Sequence, residues 1–239
     1  MKIALIGYGK MGKAIEQIAL ERGHEVILKI DLDNQNDNTP ENLKKADVVI
    51  EFTIPKTAPD NYKKCFDAGV PVVSGTTGWL EQWDEIIAYC KSKNGTFFYA
   101  SNFSIGVNLF FKINKELAQL MKTHSEYLPS IEETHHIHKL DAPSGTGITI
   151  AEGVCEAYGK KWALSEDITN DNNDTIPIVS KREGEVPGDH SVTYDSDIDF
   201  IKIEHSAKSR KGFAFGAVLA AEYANENKGI LNMNKMLNI

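Results

Sequence analysis

Short apolar runs punctuate the first hundred residues: Ile3 to Ile6, Val26 to Ile30, Val48 to Phe52, Val70 to Val73 and Phe97 to Tyr99. Helix-length segments separate them, and that alternation predicts parallel strands in a doubly wound α/β sheet. Asn34 to Pro40, polar and rich in Asn, reads as a loop after the second strand. Past Asn102 the pattern changes. A helix is expected from about Gly106 to Met121, a strand over Tyr127 to His136, a turn containing Pro and Gly, and a helix over Gly147 to Tyr158. Ser165 to Asp174 reads as an acidic, Asn-rich, solvated loop. Ile176 to Lys181, Ser191 to Asp195 and Ile198 to His205 then follow as strands without helices between them, which points to an antiparallel or mixed sheet. Phe213 to Glu226 forms an Ala-rich amphipathic helix able to return to the first domain. The expected division places residues 1–103 with 213–239 in one domain and 104–212 in a second, α+β domain built on a mixed sheet.

Composition narrows the partners rather than the fold. The formal net charge is -8, so a polyanion finds no basic face globally, and nucleic acid is not an expected partner. Cys65, Cys90 and Cys155 are widely separated, odd in number and form no C-x-x-C pair, which suits reduced thiols in the cytoplasm. The apolar start at Ile3 meets Gly7 and Gly9 too soon for a signal-peptide core or a membrane span. A cytoplasmic protein with no membrane partner is the expectation.

The first strand runs into Gly7-Tyr8-Gly9-Lys10-Met11-Gly12, a G-x-G-x-x-G turn followed by the helical stretch Lys13 to Arg22. Glycines so placed allow a tight turn and the close approach of a pyrophosphate, whose charge settles on the helix N-terminus. Asp31 closes the second strand about 20 residues further on, where an acid bonds the adenosine ribose hydroxyls. A Gly-rich turn without a ligand is the plainer alternative. Strand, helix and acid together favour a nicotinamide dinucleotide site in a Rossmann-type fold. Asp31 repels a 2′-phosphate, so NADH is expected to be preferred and NADPH accepted, with Lys10 able to offset part of that phosphate charge. Gly75-Thr76-Thr77-Gly78 follows the fourth strand at the carboxyl edge of the sheet, where hydroxyls and amides could hold the ribose or nicotinamide. Thr77 could equally cap a helix beginning near Leu80.

The densest chemistry is the run Glu133-Thr134-His135-His136-Ile137-His138-Lys139-Leu140-Asp141-Ala142-Pro143-Ser144-Gly145-Thr146. Histidine clusters can ligate zinc, but Lys139 would set a cation beside the ion and no Cys is near, so no metal is expected. Ser144-Gly145-Thr146 stands where the next helix begins. Unpaired amides and the helix dipole make that end an anion site, with Thr146 or Ser144 capping the helix or touching a ligand. Lys139 and His136 add positive charge and donors, and His135, as an imidazole, can deliver or accept a proton near neutral pH. The composite is a small acidic substrate held at a helix end beside an acid catalyst.

Along its whole length the chain resembles the dihydrodipicolinate reductase family, also called 4-hydroxy-tetrahydrodipicolinate reductase. The motifs are Gly7 to Gly12, Asp47 to Pro55, Gly75 to Gly78, Ala100 to Asn108 and His135 to Thr146. Looser matches are Arg182 to His190, as R-x-G-x-x-x-G-x-H, and the closing helix Phe213 to Ala221. The resemblance implies His135 as proton donor or acceptor, Lys139 as proton donor, and His136, Gly145 and Thr146 on the substrate carboxylate. It also implies a cofactor site lined by Gly7, Tyr8, Gly9, Lys10, Met11, Asp31, Gly75, Thr76, Thr77, Ala100, Ser101, Asn102 and Phe103. Such enzymes transfer a hydride from NADH or NADPH to C4 of a cyclic dicarboxylate imine while a proton reaches C3. Water is lost overall, giving tetrahydrodipicolinate for diaminopimelate and lysine synthesis. They are typically homotetramers joined through the second domain's sheet, so residues 104–212 would bind substrate and neighbouring subunits. Glu51 stands where the family commonly has Asp, and Leu32 where some members place Arg after the ribose acid.

Overall fold

The computed structural model describes residues 1–168, 174–209 and 211–239; residues 169–173 of the expected Ser165 to Asp174 loop lie outside them. In chain order the elements are β1 (Lys2–Ile6), α1 (Lys10–Glu21), β2 (Glu25–Ile30), α2 (Pro40–Leu43), β3 (Val48–Glu51), α3 (Ala58–Ala68), β4 (Val72–Ser74), α4 (Trp83–Ser92), β5 (Phe97–Tyr99), α5 (Ile105–Met121), β6 (Leu128–His135), α6 (Gly145–Tyr158), β7 (Lys161–Ser165), β8 (Thr175–Arg182), β9 (Asp189–Asp195), β10 (Phe200–Ser206), α7 (Lys211–Glu226), β11 (Ile230–Leu231) and α8 (Met233–Leu237). Their contacts fall into two units, Met1–Ile105 with Lys211–Ile239, and Gly106–Arg210.

The first unit holds a parallel six-stranded sheet in the order β11-β5-β4-β3-β1-β2. Successive residues of a strand face opposite sides, and here both sides are covered. Ile3, Leu5, Val48, Ile50, Val73 and Phe98 pack with Ile15 and Ala19 of α1 and with Ala217 and Ala221 of α7. Their neighbours Ala4, Ile6, Val49, Val72 and Phe97 pack with Tyr62 and Phe66 of α3 and with Ile86 and Cys90 of α4. This is why Val48-Val49-Ile50 carries no polar alternation. The chain leaves β1 for β2 on one side and returns to β3 on the other, so the loops after β1 and β3 diverge. That divergence opens a crevice at the carboxyl ends of the strands.

Three features depart from the sequence pattern. Leu32–Asp37 is a 3₁₀ turn, because Asn34 Oδ1 accepts from Asp31 N at 2.8 Å while Asp31 Oδ1 accepts from Leu32 N at 2.9 Å. β7 is an edge strand with only three apolar residues, and it exists through parallel pairing with β8 rather than through a pattern of its own. Thr77 caps no helix: a 3₁₀ turn at Leu80–Gln82 precedes α4, its N-cap is Trp79, and the Trp79 indole N–H donates to the Thr76 carbonyl at 2.8 Å.

In the second unit α5 and α6 cover a five-stranded sheet in the order β10-β9-β6-β8-β7. β10, β9 and β6 are antiparallel, whereas β6, β8 and β7 are parallel, so the sheet is mixed. Phe110, Ala118, Ile150, Val154, Ile131, Ile178, Val192 and Tyr194 form its core. Among the described residues no helix is long and apolar enough to cross a membrane.

α7 lies so close to the chain before α5 that a Cβ on Gly216 would sit 1.8 Å from the Phe103 carbonyl oxygen. Gly216→Ala is therefore expected to cost about 1–3 kcal/mol of stability, the range for overpacking. Gly212→Ala on the same helix, where the nearest atom to the new Cβ is Ser104 Oγ at 3.9 Å, should leave stability unchanged or raise it slightly. Thermal melts of both variants check this, and equal losses would show that close docking is not what Gly216 serves.

Candidate active site

The crevice of the first unit has a volume of about 430 Å³ and is lined by Gly7, Gly9, Asp31, Phe52, Thr53 and Lys64 among others. Gly7 has φ +93° and its Cβ would lie 1.9 Å from the Phe52 carbonyl oxygen, so the backbone itself demands glycine there. Gly9 is different. A Cβ on Gly9 would meet nothing within 4 Å, and this residue caps α1 without any side-chain hydrogen bond. The first turn of α1 contains no acid. Open space in front of an uncapped helix N-terminus fits a pyrophosphate.

The other residues expected at a cofactor are placed unevenly. Asp31 lies exposed at the crevice edge beside Leu32, which is 81% exposed. Tyr8, Lys10, Met11, Gly75, Thr76, Thr77 and the stretch Ala100 to Phe103 lie outside the crevice lining. The Tyr8 hydroxyl donates to Glu16, with Lys29 Nζ 5.0 Å from its ring centroid, and Met11 packs on the core. Lys10, Thr77 and Ser101 are exposed. Asn102 Oδ1 accepts from Ser104 N at 2.8 Å, Ala100 is buried, and the Phe103 ring lies 5.6 Å from Phe52 and 5.8 Å from Phe98. The Thr76 hydroxyl is turned inward. It donates to Glu51 at 3.0–3.1 Å and accepts from Thr53 N at 2.8 Å, while the Thr76 amide donates to Ser74 Oγ at 3.2 Å, so this residue's bonds are spent within the protein. Glu51 was given no role by the sequence pattern. It is fully buried and also accepts from Ser74 Oγ at 2.7 Å and from Thr53 Oγ1. Burial pushes its carboxyl pKa up, and these hydroxyl bonds oppose the shift.

The second cluster grows from the inward face of β6, where Ile131, Glu133 and His135 alternate as buried positions. Glu133 accepts from Ser144 N at 3.0 and 3.1 Å, from Ser144 Oγ at 2.5 Å and from Ser180 Oγ at 3.0 Å. Around it stand His190 Nε2 at 3.7 Å, Arg182 Nη1 at 3.8 Å and His135 Nδ1 at 3.9 Å. Strand register makes this cluster: Glu133 pairs across from His190 on β9, and His135 from Arg182 on β8. Burial lowers the His135 pKa, with the Glu133 charge opposing it. Burial, followed by the nearby His135, pushes His190 down to about 4, so His190 is neutral at pH 7.

Ser144 is the N-cap of α6, its Oγ accepting from Gly147 N at 3.0 Å, and Gly145 and Thr146 form the first turn. Lys139 Nζ is held by both Asp141 oxygens at 2.8 Å, and that ammonium lowers the Asp141 pKa. Arg182 fixes this loop through the carbonyls of Lys139 and Asp141. His136 Nδ1 is buried without a hydrogen-bond partner, whereas His138 is exposed 3.5 Å from Glu185. The structure thus brings His135, His136, Lys139, Gly145 and Thr146 into one strand end, loop and helix start. Glu133, His135 and His190 bring metal-type donor atoms within 4.8 Å of one another. Ser144 and Ser180 already donate to Glu133 and a guanidinium stands beside it, so the carboxylate is satisfied from within the chain, while Nδ1 of both histidines is buried without a hydrogen-bond partner. Sequence reasoning assigned nothing to Glu133, Asp141, Arg182 or His190. The available signals were an acid on the inward phase of a strand and the R-x-G-x-x-x-G-x-H spacing.

Comparison with known proteins decides the family. The model for the dihydrodipicolinate reductase N-terminus matches residues 1–103 and that for the C-terminus matches residues 106–237. The chain belongs to the dihydrodipicolinate reductase family. A 4-hydroxy-tetrahydrodipicolinate reductase of Christiangramia forsetii is 48% identical over 239 residues, covering 99% of this chain and 98% of that protein. One from Neisseria meningitidis serogroup B is 35% identical over 230 residues, 94% of this chain and 84% of that protein. The fold is similar to that of a dipicolinate-bound dihydrodipicolinate reductase from Paenisporosarcina sp. TG-14, with a TM-score of 0.77, 23% identity and 97% of each chain covered. Members of this reductase family are oxidoreductases that use a nicotinamide cofactor, and this chain is one of them.

If the space beside Gly9 is a pyrophosphate's, Gly9→Ala will melt at the temperature of the unaltered protein yet bind NADH at least roughly tenfold more weakly, about 1.4 kcal/mol. A fluorescence titration with NADH and a thermal melt measure the two halves of this expectation. Unaltered affinity would assign that space to something else.

Proposed function

We propose that this chain reduces 4-hydroxy-tetrahydrodipicolinate to tetrahydrodipicolinate, supplying diaminopimelate and lysine synthesis, with residues 1–103 and 213–239 binding the dinucleotide and 104–212 the substrate. The observation that carries the reading is the meeting of His135 and Lys139 with the N-terminus of α6, in a chain that belongs to this reductase family throughout. The nicotinamide, when bound, supplies the hydride for C4 of the ring. The side chains supply the rest. The amide end of α6 at Gly145 and Thr146, with His136, takes a substrate carboxylate. Lys139 brings a cation to the dianionic ring and, with His135, the proton that reaches C3 as water is lost overall.

NADH is the preferred cofactor in this reading and NADPH is accepted. Asp31 at the crevice edge repels a 2′-phosphate, and the exposed residue beside it is Leu32 rather than a cation. Lys64, in the same lining, and Lys10 offset that repulsion in part. Leu128, Leu164, Phe200 and Ile201 are exposed on strands of the second unit, which supports a homotetramer joined through this sheet. Cys65, Cys90 and Cys155 are buried and unpaired, which supports a reducing, cytoplasmic setting.

The test is oxidation of NADH and of NADPH in the presence of the condensation product of pyruvate and aspartate semialdehyde. Tight NADH binding without turnover would instead make the chain a dinucleotide sensor. Lys139→Ala is expected to lower kcat by roughly 100-fold or more while NADH affinity barely moves, and an unchanged kcat would remove Lys139 from the chemistry. Asp31→Ala should weaken NADH binding and preserve kcat at saturation; should NADH bind as before, the ribose assignment is wrong.

A further inference from the structure

We propose that Glu133 is a positioning residue for proton transfer: its carboxylate faces Nδ1 of His135, so Nδ1 keeps a proton inward and Nε2 is the nitrogen presented to the substrate. The inference rests on the proposed role of His135. Its basis is geometry. Glu133 and His135 lie two residues apart on the inward face of β6, which puts Glu133 Oε1 3.9 Å from His135 Nδ1. That nitrogen is buried and has no hydrogen-bond partner, so the facing carboxylate is the group that favours a proton on it. On the other edge of the ring, a Cβ on Gly188 would lie 3.1 Å from Nε2; glycine there leaves the outer nitrogen uncrowded.

Glu133 itself is held rigidly. Donors from α6 and β8 fill both oxygens through Ser144 and Ser180. α6 approaches so closely that a Cβ on Gly147 would lie 2.4 Å from Oε2. The carboxylate therefore cannot swing away from the imidazole without breaking its bonds to Ser180 and to Ser144, the N-cap of α6. The charged and titratable groups around His135 are Glu133 on its own strand, Lys139 and Asp141 on the following loop, Arg182 on β8 and His190 on β9, with Asp189 and His205 behind His190. Lys139 and Arg182 disfavour an imidazolium at His135, as burial does, and Glu133 is the leading group opposing them.

A purely structural Glu133 would affect folding and substrate affinity but leave the pH profile in place. A positioning Glu133 moves the profile, with a definite sign. His135 acts as an acid while protonated, below its pKa, and loss of the neighbouring negative charge lowers that pKa. In Glu133→Gln the alkaline limb of kcat/KM should therefore shift to lower pH, with kcat at neutral pH reduced roughly tenfold or more and the KM for NADH unchanged. Glu133→Asp, which keeps the charge, should return the limb toward its original position even where kcat stays low. The wild-type protein offers a second measurement that needs no variant to fold. Long-range ¹⁵N–¹H correlation of its histidines, with His135 assigned by its disappearance in His135→Gln, should show neutral His135 protonated at Nδ1. An Nε2–H tautomer overturns the proposal, as does an unmoved alkaline limb in an active Glu133→Gln enzyme. If the wild-type protein does not turn over at all, the reductase reading fails and the tautomer measurement still decides this one.

Discussion

A carboxylate that has given up its water must have its lone pairs filled by donors from the chain, because an unpaired buried charge costs several kcal/mol. Each unit ends a strand on such a group. Glu51 closes β3 after three fully apolar positions, and Glu133 sits one inward step before the end of β6. The donors that satisfy them come from the segments where the candidate chemistry lies. Ser74 and Thr76 lead into and form part of the Gly75 to Gly78 loop, Thr53 lines the crevice, and Ser144 starts α6. The buried acids thus fix loops to strand ends, and loops so fixed hold their amides in place for a ligand.

How much of this could be read from the chain depends on whether the cause is local. The parallel sheet was legible because strands covered on both faces leave unbroken apolar runs, and Val48-Val49-Ile50 is such a run. Gly7 was legible because a left-handed φ against the Phe52 carbonyl admits glycine alone. β7 and β11 were not, since short edge strands take their conformation from the neighbour they pair with. Thr76 misleads for a related reason. In the sequence a hydroxyl in a glycine loop looks outward, and only the presence of Glu51 beneath it turns it inward.

The His135 to Thr146 run shows the same division within one site. Its histidines, lysine and helix start are contiguous, so their grouping was visible at once. His190 and Arg182 reach it through the registers of β6 with β9 and with β8, and a shift of one residue in either pairing would turn them to the opposite face. Glu133 was visible yet passed over, because a charged letter is read as surface. Its phase was the better guide: on a strand whose inward positions are Ile131, Glu133 and His135, the acid must be buried and must be neutralised by something.

That neutralisation also changes how the helix end can attract an anion. Glu133 already lies beneath the N-terminus of α6, taking the Ser144 amide and hydroxyl, while Ser144 Oγ takes the Gly147 amide. Part of the positive end of the helix is therefore answered from within the protein, and the dipole alone is a weaker lure than the sequence suggests. Lys139 is likewise answered, by Asp141 at 2.8 Å. A substrate carboxylate does not meet a bare cation. It must exchange with Asp141 or share its ammonium, and that exchange is favoured only by a ligand that brings further contacts of its own. In the proposed reading a ring with two carboxylates brings them, one for the amides of the first turn and one for Lys139, whereas a monocarboxylate would satisfy only half of the arrangement. On that reading the pairing of Lys139 with Asp141 favours dianions over monoanions, a selectivity that an open cationic pocket would lack.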